Sequence, residues 1–315
     1  MKFIPKTILT LALAAAAGCS SNRYETFSGY AQGGTYSVKA RLEGVAVPRE
    51  VIAASIDSLL EEIDFSISGY NKNSLLSRRN AGEDIVPDRH FKALLELSGK
   101  YSEMTDGAFD VWAGPLFDIW GFGFTADSLP SPERIAGALA LCKEHKTLNF
   151  NAIAQGYSCD VIASYLYSIG VKDMLVDIGE IYCDGLNPHG KGWSIGVDNP
   201  VDGNDTPGRD LRGIWRSDGS GHGIVTSGNY RKFYIKDGKK YAHTIDPRTG
   251  LPVQHNLLSA TIVAPSAAEA DALATACMVM GPEAAREFVL SHPWIEAYLI
   301  TSDGTWASEG FKTEK

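Results

Sequence analysis

Tyr36, Val38, Ala40 and Leu42 alternate with Ser37, Lys39 and Arg41, the period of two that marks a strand with one buried face. After Pro48 the period changes. Val51, Ile52, Ile56, Leu59, Leu60 and Ile63 recur every three to four residues, which predicts an amphipathic helix. A second helix is predicted near Phe91 to Tyr101, carrying Leu94, Leu95 and Leu97. A third opens at Ser131-Pro132-Glu133, with Ser as N-cap and Pro at the first helical position. Gly156 to Ile169 reads as a fourth, stopped by Gly170.

Beyond residue 170 the pattern is mostly β. Met174 to Ile178 and Trp193 to Val197 read as buried strands. Phe233 to Ile235 and Tyr241 to Ile245 flank Asp237-Gly238, a hairpin signal. Leu257 to Val263 is another strand, and Ser266-Ala267-Ala268-Glu269 is a capping box that starts a fifth helix. Ile295 to Ile300 and Trp306 form a last hairpin around Ser302-Asp303-Gly304. The polar, Gly-rich stretch Asp202 to Gly223 is expected to be a long surface excursion. Strands and helices do not alternate strictly, so the expected class is α+β rather than a doubly wound sheet.

The N-terminus follows different rules. Lys2 and Lys6 precede an apolar run, Ile8 to Ala17, too short to span a bilayer. It ends Ala16-Ala17-Gly18-Cys19 and so resembles a bacterial lipoprotein signal. Residues 1–18 are then a signal peptide, Cys19 the lipidated first residue, and 19–315 a single domain. The expected location is a bacterial membrane, lipid-anchored and facing the periplasm.

The formal charge of −9, from 29 Lys and Arg against 38 Asp and Glu, argues against a nucleic-acid binder. It leaves an anionic ligand open, since one metal ion or helix N-terminus reverses the sign locally. Cys142, Cys159, Cys183 and Cys277 have no zinc-type spacing and are expected to be buried thiols. Gly185 to Lys191 matches the first part of a P-loop, but Gly192 and a strand follow instead of Ser or Thr and a helix. That match is rejected.

Three stretches carry candidate chemistry. Asp271 and Thr275, four apart on the fifth helix, place a carboxylate and a hydroxyl on one face. Two hard oxygens suit Mg²⁺ with waters and phosphate completing its shell; the same pair also reads as an exposed Asp with a Thr bonded back into its own helix. In "YAHTIDPRTGLPV" (241–253), Tyr241, His243 and Ile245 alternate like a strand face ahead of a rigid turn. His243 is there either a half-buried strand histidine or a general base. Asn149 to Tyr157 delivers polar amides and a glycine to a helix start, a place that can hold an anion.

Taken in order, "GGTYSV", "SLLSRRN", "TDGAFDVWAGPLFDIWGFG", "NAIAQGYSCDVIASYL", "LVDIGE", "IVTSGNYRKFY", "YAHTIDPRTGLP" and "SATIVAP…ADALATACMVMG" resemble the ApbE family of flavin transferases. The resemblance implies a two-lobed α+β fold with a T-fold-like core and FAD between the lobes. It implies Mg²⁺-dependent transfer of FMN from FAD to a Ser or Thr hydroxyl of electron-transport proteins of Nqr or Rnf type, releasing AMP. Its alternatives are a FAD pyrophosphatase, with water as acceptor, and a flavin-binding lipoprotein without turnover. By the same resemblance the metal ligands are Asp271, Thr275 and the carbonyl of Ala152. The FAD contacts are Gln32, Tyr70, Ala108, Phe109, Asp110, Asn149, Gln155 and Ile245, and His243 activates the acceptor hydroxyl. The chain departs from the family pattern at Gln155, where many members carry Lys or Glu, and at Gly179-Glu180, where two glycines are usual. Its segment 143–148 is also shorter than usual. It contains no Ser/Thr-Gly-Ala-Ser/Thr acceptor motif, so self-flavinylation is not expected.

Overall fold

The computed structural model describes residues 24–314 apart from 123–128, 202–203, 205, 207, 230–232 and 237–238. The signal segment, Cys19, Gly123 at the end of "TDGAFDVWAGPLFDIWGFG" and the Asp237-Gly238 turn lie outside the described residues. The strands are β1 (Tyr24–Ala31), β2 (Gly34–Arg41), β3 (Met174–Asp177), β4 (Ile181–Asp184) and β5 (Ser194–Asp198). There follow β6 (Leu211–Arg216), β7 (His222–Gly228), β8 (Phe233–Lys236), β9 (Lys239–Ala242) and β10 (Ile245–Asp246). The last are β11 (Leu251–Pro252), β12 (Leu257–Ala264), β13 (Glu296–Thr301), β14 (Thr305–Ala307) and β15 (Thr313–Glu314). The helices are α1 (Arg49–Ile67), α2 (Leu75–Asn80), α3 (Arg89–Met104) and α4 (Gly114–Ile119), then α5 (Pro132–Lys143), α6 (Ala154–Ser168), α7 (Ala267–Met280) and α8 (Pro282–Leu290).

Among the described residues one antiparallel sheet of eight strands, in the order β1-β2-β3-β4-β7-β12-β13-β14, organises the molecule. Both of its faces are covered. Val225, Ala260 and Ile262 turn to the helix side, while Ile224 and Val263 turn to the other, the parity that a pleated strand imposes. On that other side the three-stranded sheet β15-β6-β5 supplies Trp193, Ile195, Val197 and Trp215. The expectation of a surface excursion over Asp202 to Gly223 is therefore corrected. This stretch contains β6, in which the buried Gly213 and Trp215 alternate with Arg212, Ile214 and Arg216. The short apolar signal is diluted by the glycines and acids on either side of it.

α7 lies in the helix layer and is buried nearly all round, Ala268, Ala270, Ala272, Leu273, Ala274 and Ala276 included. Its small residues permit this because they let backbones approach. A Cβ on Gly156 of α6 would lie 2.3 Å from the Ala267 carbonyl oxygen, and one on Gly223 of β7 would lie 2.4 Å from the Ala267 Cα. The first turn of α7 is thus gripped between α6 and the sheet. Its end is capped twice. Ser266 Oγ accepts the Glu269 N–H at 3.1 Å, and the Asp160 carboxylate of α6 accepts the N–H groups of Ala267 and Ala268 at 2.8 and 2.9 Å, complementing the helix dipole. Burial nonetheless holds the Asp160 carboxyl up at about 6.

A second, smaller core forms the other lobe. Ala113, Leu116, Trp120, Ala138, Cys142 and Ile245 gather α4, α5 and the 245–252 hairpin, and the Trp120 indole donates to the Gly250 carbonyl at 2.8 Å. The predicted turn at Asp246 closes with Gly250 donating to the Asp246 carbonyl and with Gly250 at φ +72°. Cys142, Cys159, Cys183 and Cys277 are buried free thiols, as expected.

Candidate functional site

A cavity of about 340 Å³ opens between the two lobes. The larger lobe lines it with Asp271, Thr275, Met278 and Val279 of α7, and with Thr226, Ser227 and Gly228 at the end of β7. The smaller lobe contributes Phe117, Phe122, Ile245 and Pro247. The remaining lining comes from the loops between them and includes Ala108, Phe109, Asp110, Asn149, Asn151, Ala152, Glu180, His243 and Thr244.

The geometry around α7 explains how a buried acid came to face a cavity. Asp271 is 5 % exposed, and its Oδ2 accepts the backbone N–H of Gly156 at 3.1 Å. That N–H is one of the first-turn donors of α6, which have no acceptor within the helix. Asp271 supplies that acceptor, and no described hydrogen bond ends on the carbonyl of Ala152, just before the Ile153 N-cap. The start of α6 thus anchors the carboxylate, and Ala152 lines the same cavity wall. Thr275, one turn further along α7, lines the same cavity, and its hydroxyl lies 3.4 Å from Ser227 Oγ.

Burial, opposed by the Gly156 N–H and reinforced by the negative charge of Asp160, raises the Asp271 carboxyl to about 7. A carboxylate this deep needs a compensating cation to be stable in its ionised form. Carboxylate, hydroxyl and carbonyl are hard oxygen donors, which fits Mg²⁺ better than a softer metal. Among the described residues no group of three or more His, Cys, Asp or Glu could hold a metal; the candidate set here contains a single acid.

The flavin-contact candidates divide. Phe109 and Ala108 are buried and reach the cavity from the turn after α3, where Asp106 (φ +49°) and Gly107 (φ +72°) reverse the chain. Asp110 accepts the Trp112 N–H at 2.8 Å, and burial raises its carboxyl. Asn149 is fixed by its backbone N–H to the Val111 carbonyl and by its side chain, which accepts the Asn151 N–H at 2.9 Å. Tyr70 stands on the rim, 71 % exposed, with its hydroxyl 3.4 Å from Asn151 Nδ2.

Gln32 and Gln155 are not in this lining. Gln32, at φ +51°, donates to Ser158 Oγ at 2.5 Å and borders a neighbouring cavity of about 580 Å³ with Tyr30, Asp57, Asp64 and Phe65. Gln155 turns away and donates to the Ile178 carbonyl at 3.1 Å, packed on Gly179 at φ +94°. The single glycine is therefore spent on accommodating the Gln155 amide, since a Cβ there would lie 2.7 Å from Nε2.

His243 does line the cavity, but the expected strand is interrupted at it. β9 ends at Ala242 and β10 begins at Ile245, so the histidine sits in the bend between them. The Phe122 ring meets the imidazole edge to face at 6.3 Å between centroids. Sequence reasoning did not single out Thr226, Ser227, Met278 or Val279. Met278 and Val279 follow Asp271 and Thr275 by helical spacing, a signal that was available, whereas the two β7 hydroxyls reach the cavity only through sheet pairing.

An α+β protein with an oxygen-donor pair, a histidine and aromatic side chains around an interlobe cavity has the frame of a nucleotide-transforming enzyme. The profile of the ApbE family matches residues 32–299, and the chain belongs to that family. It is 33% identical over 305 residues to the FAD:protein FMN transferase of Escherichia coli K12, covering 87% of this chain and 85% of the relative. The FAD:protein FMN transferase of Vibrio cholerae is 34% identical over 290 residues, covering 85% of each. Among solved structures, the flavin transferase ApbE of Vibrio cholerae superposes with a TM-score of 0.80 at 30% identity, over 92% of this chain and 98% of that one. The flavinyl transferase ApbE of Pseudomonas stutzeri, in its apo form, gives 0.80 at 32% identity over 91% and 95%.

Proposed function

We propose that this chain transfers FMN from FAD to a Ser or Thr hydroxyl of a target protein and releases AMP. The observation that carries the reading is the meeting, in one interlobe cavity, of the buried Asp271 and its helix neighbour Thr275 with His243. The acceptor hydroxyl oxygen attacks the FMN-side phosphorus. A P–O bond forms to the protein, the bridging P–O bond to AMP breaks, and the hydroxyl proton passes to the His243 imidazole. Asp271, Thr275 and the Ala152 carbonyl hold Mg²⁺, which when bound supplies charge neutralisation at the pyrophosphate. Phe109 and Tyr70 offer apolar and aromatic surface to the flavin or adenine rings, and the phenyl groups of Phe117 and Phe122 close the smaller lobe over the cavity against water.

The acceptors we propose are electron-transport subunits of Nqr or Rnf type. The enzyme is held at a bacterial membrane, on its periplasmic side, by lipid on Cys19. The test is to incubate protein lacking residues 1–19 with FAD, Mg²⁺ and an acceptor domain of that type. Flavin fluorescence is then read from the denatured acceptor band, and AMP is measured. A fluorescent band with stoichiometric AMP supports the transferase. AMP without a band gives the pyrophosphatase reading, and bound FAD with neither product gives a binder without turnover.

A further inference from the structure

The bend that carries His243 is tied down by a cross-link between the two ends of an insertion. β7 leaves the large sheet at Gly228, the chain runs out through the separate β8–β9 hairpin, and it returns at His243. At the point of departure stands Asn229 and at the point of return Thr244. The Thr244 hydroxyl donates to Asn229 Oδ1 at 2.5 Å, and both residues are only 9 % exposed. Each is fixed in turn. The Asn229 N–H donates to the Leu258 carbonyl of β12 at 2.9 Å, and the Thr244 carbonyl accepts the Val253 N–H at 3.1 Å, beyond the turn of the smaller lobe. The residue next to the imidazole is thus joined to the large sheet on one side and to the smaller lobe on the other.

We infer that Thr244 and Asn229 are positioning residues for His243, acting through this buried hydrogen bond and not by touching substrate. Thr244 borders the cavity, but its hydroxyl proton is committed to Asn229. A two-strand hairpin detached from the sheet has little stability of its own, so without the cross-link the returning strand is free to shift the imidazole. Misplacement of a reacting group by about 1 Å costs on the order of a hundredfold in rate. The inference rests on the reading of His243 as the base.

The experiment measures FMN transfer to an acceptor domain by the mature chain and by Thr244→Val, Thr244→Ser, Asn229→Ala and His243→Ala, with melting curves and FAD affinity for each. Valine keeps the shape of threonine and removes the donor. The expected result is a fall in kcat of about tenfold to a hundredfold for Thr244→Val, with KM for FAD within about twofold and recovery in Thr244→Ser. Asn229→Ala is expected to lose kcat similarly, and the double variant to be no worse than the single ones. Should the valine variant not accumulate folded, Asn229→Ser makes the same test. Full transfer by Thr244→Val while His243→Ala is inactive overturns the positioning role alone. Full transfer by His243→Ala removes the base on which both statements depend. A parallel loss of FAD affinity and kcat that serine does not restore reduces the pair to ordinary packing.

Discussion

Replacing Asp271 by asparagine separates what the residue does for folding from what it does for the metal. Without a cation, the buried carboxyl ionises only near pH 7, against 3.8 for the ordinary side chain. Keeping it charged at pH 8 therefore costs on the order of 4 kcal/mol relative to the unfolded chain. Asparagine removes that charge and still offers an oxygen to the Gly156 N–H, while its own NH₂ group, if left unpaired, costs about 1–3 kcal/mol. The net expectation is a metal-free variant more stable than the parent by about 1–3 kcal/mol, or about 2–6 °C in melting temperature for a chain of this size.

The sign follows from proton binding. A folded-state pKa raised above the unfolded value means that the native state binds the proton more tightly between about pH 4 and 7. Stability from this group is complete below 3.8 and lost as pH rises through about 7. The variant's advantage should accordingly be widest at pH 8, shrink as the parent carboxyl takes up its proton, and give way towards pH 4 to a parent more stable by about 1–3 kcal/mol, the cost of the unpaired amide. Saturating Mg²⁺ should reverse the order, since a ligand at 100 times its Kd adds about 2.7 kcal/mol to the parent and little to the variant. The assay is thermal melting from pH 4 to 8, with chelator or with Mg²⁺. Parallel curves across that range, or a variant less stable at pH 8 in chelator, would refute the account of Asp271 as a charge awaiting a cation.

His243→Ala should abolish FMN transfer while leaving FAD binding and melting temperature close to the parent, as read by acceptor fluorescence and flavin titration. Gly156→Ala forces a methyl to 2.3 Å from the Ala267 carbonyl oxygen. It should cost about 1–3 kcal/mol in urea unfolding and weaken Mg²⁺ binding as well, because the shift moves the N–H that holds Asp271. Trp120→Phe leaves the Gly250 carbonyl without its indole donor at the base of the smaller lobe; a loss of about 1–3 kcal/mol is expected from chemical unfolding. Trp215→Ala, in the core behind the sheet and away from the cavity, should destabilise by about 3–5 kcal/mol without altering KM for FAD.

Several elements were legible because their signals are local. The capping box at Ser266 marks the start of α7 in the structure, and the Pro48 and Ser131 signals mark those of α1 and α5. β2, β12 and the β13–β14 hairpin fall where alternation predicts them. β6 was missed because glycines and acids surround its few apolar residues. The strand expected through His243 is broken there because Thr244 answers to Asn229, fifteen residues away. Two of the flavin candidates, Gln32 and Gln155, took nearer partners in Ser158 and Ile178, and no linear pattern announces such a choice.

By itself the sequence determined the periods, caps and turns, the α+β class, and the i, i+4 placement of Asp271 and Thr275 on one helix, since each depends on neighbours within a few residues. Only the tertiary structure decided that the Gly156 N–H, a first-turn donor with no acceptor in its own helix, would be met by Asp271 of α7. It alone brought β7, α7 and the smaller lobe around one cavity. Those outcomes depend on which backbones can approach within contact distance. That is settled by packing across more than a hundred residues of chain, as between Gly156 and Asp271, and not by any local preference.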